Sequence, residues 1–186
     1  RSYNARTSFA CEIIYVAVHM NVSRKLWLVR HGERQDQVDP AWKGDAAEPW
    51  NPDLSANGLV EAERTAARFL EESVDHIIAS PYLRTLRTAD RIAAALQLPI
   101  LMEEGVCEQL EPAYVGPVRP VFRSLTECRT AFPRLAPDYA AKVIPEWPEP
   151  EGDPRILARA GHVAGRLLED LPGDIMIVTH YAICNT

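Results

Sequence analysis

Short apolar runs alternate with longer amphipathic segments along most of the chain. Four runs have the length of buried strands: residues 26–29, 74–79, 99–102 and 174–179. Three segments carry apolar side chains at helical spacing: residues 57–72, 81–97 and 153–171. A shorter helix is expected within residues 119–130. Strands that alternate with helices predict an α/β fold, with a mainly parallel, doubly wound sheet and helices on both faces.

Polar residues of a distinctive kind follow two of these strands. Arg30 and His31 come directly after the first strand, and His180 comes directly after the last. Because ligands of open α/β sheets bind at the carboxyl ends of strands, both imidazoles are expected at one edge of the sheet. Arginine presents a planar fork that matches phosphate oxygens, and histidine can accept a phosphoryl group. These residues therefore suit phosphate-ester chemistry with a histidine nucleophile.

A third arginine follows the strand at residues 74–79. Ser80 is predicted to cap the next helix, with Pro81 at its first position, which places Arg84 in the first turn. The N-terminus of a helix favours anions, so an arginine there would reinforce a phosphate site.

Three motifs in this order resemble the histidine phosphatase superfamily, in its phosphoglycerate-mutase-like branch. They are Arg-His-Gly at residues 30–32, the stretch Ser-Pro-x-x-Arg-Thr-x-x-Thr-Ala at residues 80–89, and Val-Thr-His at residues 178–180. The resemblance covers residues 26–182. The continuation Glu33-Arg34 most resembles the ubiquitin-associated and SH3 domain-containing tyrosine phosphatases and their single-domain relatives.

The resemblance implies hydrolysis of phosphomonoesters through a phosphohistidine on His31. In that mechanism four groups surround the phosphoryl oxygens: Arg30, Arg34, Arg84 and His180. It implies neither a metal ion nor a cofactor, since arginines supply the positive charge. Phosphoglycerate-mutase-type transfer and a catalytically inactive phosphatase-like binding module are the alternatives.

The general acid is expected from the connection after residue 102, where four carboxylates compete: Glu103, Glu104, Glu108 and Glu111. Glu108 matches best, because Gly-Val-Cys-Glu resembles the Gly-x-x-Glu that precedes the acid in the family. Glu103 and Glu104 are interpreted as a solvated pair of like charges.

A competing phosphatase signature lies at residues 128–134. Cys128 and Arg134 have the Cys-x5-Arg spacing of cysteine-dependent phosphatases. Pro133 removes one backbone donor from such a loop, and the stretch contains no glycine. The spacing is therefore disfavoured as a phosphate cradle.

Composition narrows the setting of this chemistry. The 186 residues are 47% hydrophobic and 25% charged, with a net charge of −6, which argues against nucleic acid or an anionic membrane as partners. The four cysteines match neither a disulfide framework nor a zinc site, which suits the cytoplasm. The expected partner is a phosphomonoester, either a small molecule or a phosphotyrosine protein, and a homodimer is left open.

Domain boundaries follow from where the periodic pattern holds. Residues 1–23 are interpreted as a leader or a poorly ordered segment, and residues 24–186 as one histidine phosphatase domain. Insertions near 35–57 and 111–152 are expected to cap the pocket. The chain stops six residues after His180, where the resemblance implies a further helix, so truncation or different splicing at the C-terminus is expected.

Overall fold

The computed structural model describes residues 13–19, 23–39, 41–42, 47–149 and 153–184. Its strands are β1 (Ile13–His19), β2 (Ser23–Arg30), β3 (His76–Ala79), β4 (Ile100–Met102) and β5 (Ile175–Thr179). Its α-helices are α1 (Gln35–Val38), α2 (Ala56–Phe69), α3 (Leu83–Leu96), α4 (Pro112–Val115), α5 (Leu125–Ala131), α6 (Asp153–Asp170) and α7 (Tyr181–Cys184). A 3₁₀ helix spans Glu104–Val106.

The five strands form one sheet in the order β1-β2-β5-β3-β4. Strands β2, β5, β3 and β4 run parallel to one another, whereas β1 pairs antiparallel with β2. The predicted α/β class with a mainly parallel sheet is therefore confirmed. This topology places β2 next to β5, so the two strands that precede His31 and His180 are neighbours in the sheet.

Both faces of the sheet are buried, as expected when crossover helices cover a parallel sheet. On one face Trp27 and Val29 pack in a core with Phe69 of α2 and Leu86 of α3. The other face packs against α6 through Val163 and Leu167, among others. Successive residues of β2 point alternately into these two cores, which explains why its sequence is a continuous apolar run.

Arg24 anchors the carboxyl end of α6 to β2. Its guanidinium donates to the carbonyl oxygens of Leu168 at 2.7 Å and Gly173 at 2.8 Å, and also to that of Leu171. These carbonyls lie at and just beyond the end of a helix, where they lack intrahelical donors. A partly buried cation at this end also complements the helix dipole.

Several boundaries differ from those expected from the sequence. Ile13–His19, within the segment interpreted as a leader, is strand β1, whereas residues 1–12 lie outside the described part of the chain. Helix α5 covers only part of residues 119–130. Helix α3 begins after Tyr82, and the side chain of Asn51 accepts a hydrogen bond from Leu83 N–H at 2.9 Å. The prediction that Ser80 caps this helix is wrong.

Candidate active site

The carboxyl ends of β2 and β5 bring two histidines together. Arg30 pairs with Thr179 in the parallel register, and His31 N–H continues that ladder by donating to the Thr179 carbonyl at 3.0 Å. The imidazole rings of His31 and His180 lie with their centroids 5.4 Å apart, and both are buried. The juxtaposition expected from the two strand ends is therefore present.

Hydrogen bonding leaves one nitrogen of the His31 ring available. Nδ1 lies 2.7 Å from the carbonyl oxygen of Gly32, which can only accept, so Nδ1 carries the proton. Burial, followed by the charge of Arg84, holds the pKa of His31 well below its ordinary value. The ring is consequently neutral near pH 7, and Nε2 keeps its lone pair.

The loop that follows His31 is fixed by close backbone contact with α2. A Cβ placed on Gly32 would lie 2.5 Å from the carbonyl oxygen of Gly58. Gly32 N–H also donates to Thr88 Oγ1 of α3, at 3.2 Å. Only glycine fits at position 32 without displacing the helix, and the fit holds the imidazole in place.

Arg84 is buried in the same cluster with donors unused. Only 2% of the residue is exposed, and its Nη2 lies 3.2 Å from His180 Nδ1 and 3.4 Å from Glu108 Oε2. Its Nε and Nη1 are buried and have no hydrogen-bond partner among the described residues. Leaving donors of a buried cation unpaired costs free energy, so the arrangement favours an anion at this position.

Arg30 contributes a second unpaired donor. Its buried Nε finds no hydrogen-bond partner within the described ranges. Its guanidinium carbon lies 5.4 Å from the centroid of the exposed Tyr181 ring, close enough for a cation–π contact. Two arginines with unused donors, one at the end of β2 and one in the first turn of α3, lie beside a neutral histidine and are suited to holding phosphate oxygens.

His180 is fully buried and contacted on both ring nitrogens. Its Nε2 lies 2.8 Å from Ser80 Oγ, and its Nδ1 lies 3.4 Å from Glu108 Oε2. Burial lowers the pKa of His180 to about 4, against the opposing effect of Glu108. Ser80, predicted as a helix cap, thus has a different position: its hydroxyl orients a histidine of the site.

Of the four carboxylates proposed as the acid, Glu108 is the one that reaches the histidines. Its side chain is 21% exposed, and Oε2 lies beside both Arg84 and His180. Burial alone would raise the pKa of Glu108, but the charges of His180 and Arg84 outweigh it and hold the pKa well below its usual range. Glu108 is therefore ionised when no substrate is bound.

Glu103 corrects one interpretation of the sequence. It is fully buried rather than solvated, and four donors satisfy its carboxylate: Gly105 N, Lys142 N, Val143 N and Tyr139 Oη. Glu103 therefore anchors residues 139–143 to the end of β4 and lies outside the cluster of histidines.

Arg34 lies at the start of α1 and is paired with an acidic neighbour. Its Nε and Nη2 donate to the two carboxylate oxygens of Asp36, at 2.8 and 3.0 Å. Burial lowers the pKa of Arg84, and the charge of Arg34 acts in the same direction, so Arg34 is near enough to influence the site. Arg34 is thus held by a carboxylate through two donors, whereas Arg84 contacts its carboxylate, Glu108, through Nη2 alone.

The two expected cap segments both supply aromatic rings behind the site. The buried ring of Tyr82 lies 5.0 Å from the His180 ring and 4.3 Å from the Arg84 guanidinium carbon. Trp50 and Phe122 pack on Tyr82, at centroid distances of 5.5 and 5.4 Å. Sequence reasoning missed Tyr82, although its position two residues before Arg84 was a usable signal.

The competing Cys-x5-Arg signature does not form a loop around an anion. Cys128 lies within α5, where burial raises the pKa of its thiol. Arg134 is paired with Asp90 at 3.0 Å. The two residues therefore lack the reactive thiolate and the free guanidinium that this chemistry needs.

The described ranges contain neither a cluster of metal-ligating side chains nor a membrane-spanning helix. No group of three or more His, Cys, Asp or Glu side chains there could hold a metal ion. Within the same ranges, none of the helices combines the length and the apolar character needed to cross a membrane.

Most of the chain matches a known protein family, and about half of it aligns with curated relatives. Residues 26–186 match the family model described as "Histidine phosphatase superfamily (branch 1)". A protein of Escherichia fergusonii named probable phosphoglycerate mutase GpmB is 38% identical over 84 residues, which cover 45% of this chain and 37% of that protein. A protein of Proteus mirabilis with the same name is 33% identical over 96 residues, which cover 48% of this chain and 43% of that protein. The chain thus spans less than half the length of these curated relatives.

Solved structures share the fold at low sequence identity. The ecdysone phosphate phosphatase of Bombix mori, in complex with tungstate, superposes with a TM-score of 0.66 at 18% identity, covering 84% of this chain and 73% of that chain. A mycobacterial glucosyl-3-phosphoglycerate phosphatase complexed with VO3 gives a TM-score of 0.58 at 18% identity, covering 86% and 77%.

Proposed function

Because this chain belongs to the histidine phosphatase superfamily (branch 1), we propose that it hydrolyses phosphomonoesters through a phosphohistidine intermediate on His31. One observation carries the proposal: a buried, neutral imidazole lies in a cluster with Arg84, whose Nε and Nη1 have no hydrogen-bond partner among the described residues. An anion with several acceptor oxygens would satisfy those donors, and a nucleophile is already in place beside it.

In the first half-reaction, Nε2 of His31 attacks the phosphorus atom in line with the leaving oxygen. The N–P bond forms as the P–O bond breaks, and the leaving oxygen takes a proton from Glu108. Arg30, Arg84 and His180 stabilise the charge on the phosphoryl oxygens during this transfer. Arg34 is proposed to contribute from further out, since Asp36 already holds its guanidinium.

In the second half-reaction, water attacks the phosphohistidine. The N–P bond breaks, the Glu108 carboxylate accepts a proton from the water, and inorganic phosphate leaves. His31 returns to its neutral form. Glu108 thereby alternates between acid and base, and the overall reaction consumes one water for each ester bond cleaved.

The substrate itself can supply the proton that Glu108 needs. Glu108 is ionised before substrate binds. A phosphomonoester has a second pKa of about 6 and is partly a monoanion at neutral pH. Transfer of that proton to Glu108 inside the pocket gives the dianion and the carboxylic acid. A bound dianion also favours the protonated carboxyl, because it opposes a second negative charge nearby.

The leaving group distinguishes three candidate classes of substrate. A phosphotyrosine, a steroid phosphate and a small phosphorylated metabolite all present the same phosphoryl group to His31. The sequence Glu33-Arg34 after Arg-His-Gly supports a place near the ubiquitin-associated and SH3 domain-containing tyrosine phosphatases and their relatives. Turnover of a panel of phosphomonoesters would rank these classes.

The test of His31 uses trapping of the intermediate. Protein quenched in alkaline denaturant after incubation with phosphoryl-labelled p-nitrophenyl phosphate should carry a label that acid removes, and His31→Ala should carry none. His162→Ala, which alters an exposed histidine of α6, should retain it. Label on His31→Ala would contradict the assignment. Conversion of 3-phosphoglycerate to an isomer without release of phosphate would favour a mutase instead.

A further inference from the structure

A buried ion pair lies behind the segment that carries Glu108. Arg159 of α6 is 9% exposed and Glu149 is 6% exposed. They form a bidentate pair, with Nε–Oε1 at 2.8 Å and Nη2–Oε2 at 3.0 Å. Arg159 lies three residues after Ile156 on the apolar side of the helix, a position where a charged side chain needs satisfied partners.

The other hydrogen bonds of Arg159 go to the segment around Glu108, one of them to the Cys107 thiol and the rest to main-chain carbonyls. Nη1 donates to the carbonyl oxygens of Gly105 at 2.7 Å and Cys107 at 3.0 Å. Nη2 donates to the carbonyl oxygen of Glu108 itself, at 3.2 Å. One guanidinium therefore holds three carbonyl groups within four residues.

Glu149 holds the other end of the same segment. Its Oε2 accepts a hydrogen bond from Leu110 N–H at 2.9 Å, and its own N–H donates to the Leu110 carbonyl at 3.0 Å. Residues 105–110, which we name the acid segment, are thus fixed from α6 on one side and from residue 149 on the other.

We propose that Arg159 and Glu149 are positioning residues that set where the Glu108 carboxylate lies relative to the leaving oxygen. This inference rests on the proposed role of Glu108 as the general acid. Neither residue hydrogen-bonds His31, His180 or Arg84 in the described contacts. Their influence reaches the reaction through the main chain of the acid segment.

Displacement of the acid segment has a selective chemical consequence. A shift of about 1 Å in a reacting group can slow its step by about 100-fold. In the first half-reaction, which kcat/KM reports, only proton donation from Glu108 would be affected, while attack by His31 would continue. An alkoxide leaving group needs that proton, whereas p-nitrophenolate leaves readily without it. The ratio of the two rates therefore reports the position of Glu108.

Arg24 provides a matched control for Arg159. It is also an arginine whose guanidinium holds three carbonyl groups of the main chain, but at the opposite end of α6 and away from the acid segment. Arg159→Met and Arg24→Met should both lower the thermal unfolding midpoint. Arg159→Lys keeps a cation beside Glu149 without the fork that reaches several carbonyls, and serves if Arg159→Met does not fold.

The experiment compares ethyl phosphate with p-nitrophenyl phosphate as substrates. Arg159→Met and Arg159→Lys should lower kcat/KM about 10–100-fold for ethyl phosphate and less than about threefold for p-nitrophenyl phosphate. Arg24→Met should leave the ratio of the two unchanged. In a Glu108→Gln background, Arg159→Lys should produce no additional fall for ethyl phosphate.

The outcomes separate the two proposals. An equal fall for both substrates in the Arg159 variants, or a further fall in the Glu108→Gln background, would assign Arg159 a purely structural role. If Glu108→Gln changes the ratio and the Arg159 variants do not, only the positioning role is overturned. If Glu108→Gln leaves the ratio unchanged, the acid role of Glu108 fails, and the positioning role fails with it.

Discussion

Two buried arginines, Arg84 and Arg159, differ in how many of their donors have partners, although both lie near Glu108. Both are enclosed, at 2% and 9% exposure, and both approach Glu108. Arg159 donates to a carboxylate and three carbonyl oxygens. Arg84 leaves Nε and Nη1 without a partner among the described residues.

The difference separates a structural cation from a binding cation. A satisfied arginine can contribute to the folded state with nothing bound, whereas burial of unpaired donors lowers stability until a ligand supplies acceptors. Burial and a nearby carboxylate alone would not distinguish the two residues. The count of unused donors does, and it points to Arg84 as the residue that contacts the phosphoryl group.

The largest effect is expected from removal of the binding cation. Arg84→Met should lower kcat/KM for p-nitrophenyl phosphate by about 10³–10⁵-fold, the range in which arginines contribute to phosphoryl transfer. Its unfolding free energy in phosphate-free buffer should change little, because loss of the Nη2 contacts to Glu108 and His180 is offset by removal of two buried, unpaired donors. Enzyme kinetics and urea unfolding would measure the two quantities on the same preparations.

Phosphate protection supplies the control for that variant. Inorganic phosphate at about 100 times its Kd should stabilise the parent protein by about 2.7 kcal/mol. Arg84→Met should lose this stabilisation, and Arg159→Lys should keep it. Equal protection of the parent and Arg84→Met would remove the basis for the distinction between the two arginines.

The next effect concerns the structural cation. Arg159→Met leaves Glu149 buried without its partner, so we expect a loss of about 3–5 kcal/mol in unfolding free energy. Arg159→Met combined with Glu149→Gln should lose less, because no uncompensated charge remains while the glutamine oxygen still accepts from Leu110 N–H. A double variant less stable than Arg159→Met alone would contradict this account.

The smallest effect concerns His180, which contacts Arg84, and the pH dependence of the unfolding free energy. The pKa of His180 falls from 6.5 to about 4 on folding, so between these values the unfolded chain binds more protons than the folded one. Stability should therefore fall by up to about 3 kcal/mol as the pH drops through this range. Urea unfolding at pH 7.5 and 4.5 would measure the fall.

Replacement of single histidines shows which residue causes that pH dependence of the unfolding free energy. His180→Asn should reduce the difference between the two pH values, and His162→Asn, at an exposed position of α6, should preserve it. If the His180 variant keeps the full difference, another group is responsible for the acid sensitivity.

The sheet and the ends of its strands were predictable from the sequence because their determinants are local. A continuous apolar run followed by Arg30 and His31 contains the strand, its end and the reactive side chain within six residues. The same holds for the run that ends at His180. The parallel topology then follows from the alternation of strands and helices, and it brings the two histidines together.

The residues that sequence reasoning missed depend on distant parts of the chain. The carboxylate of Glu103 is satisfied mainly by donors 36–40 positions away. Arg159 is separated from the carbonyls that it holds by more than 50 positions. The one signal in the sequence was a charged residue on the apolar side of a helix, which indicates burial without naming the partner.

Arg34 and Ser80 show a different limit, in which a local motif has two compatible uses. Arg34 was expected to bind phosphate, and Asp36 two positions later already pairs with it. Ser80 before Pro81 has the sequence of a helix cap, but its hydroxyl contacts His180 while Asn51 satisfies the helix. The partner that each side chain contacts determines which use it has, and that partner is identified only from the structure.

The contact between Gly32 and Gly58 has a consequence for attempts to alter this pocket by design. The two backbones approach so closely that any side chain at either position would collide with main-chain atoms. The loop that carries His31 is therefore fixed by contacts between main-chain atoms, and the position of the imidazole cannot be changed by repacking nearby side chains. Trp50 and Phe122 contact each other and Tyr82 through their rings, and apolar side chains in such a cluster can be exchanged at conserved volume. A library aimed at a changed site should vary these rings and keep the glycines fixed.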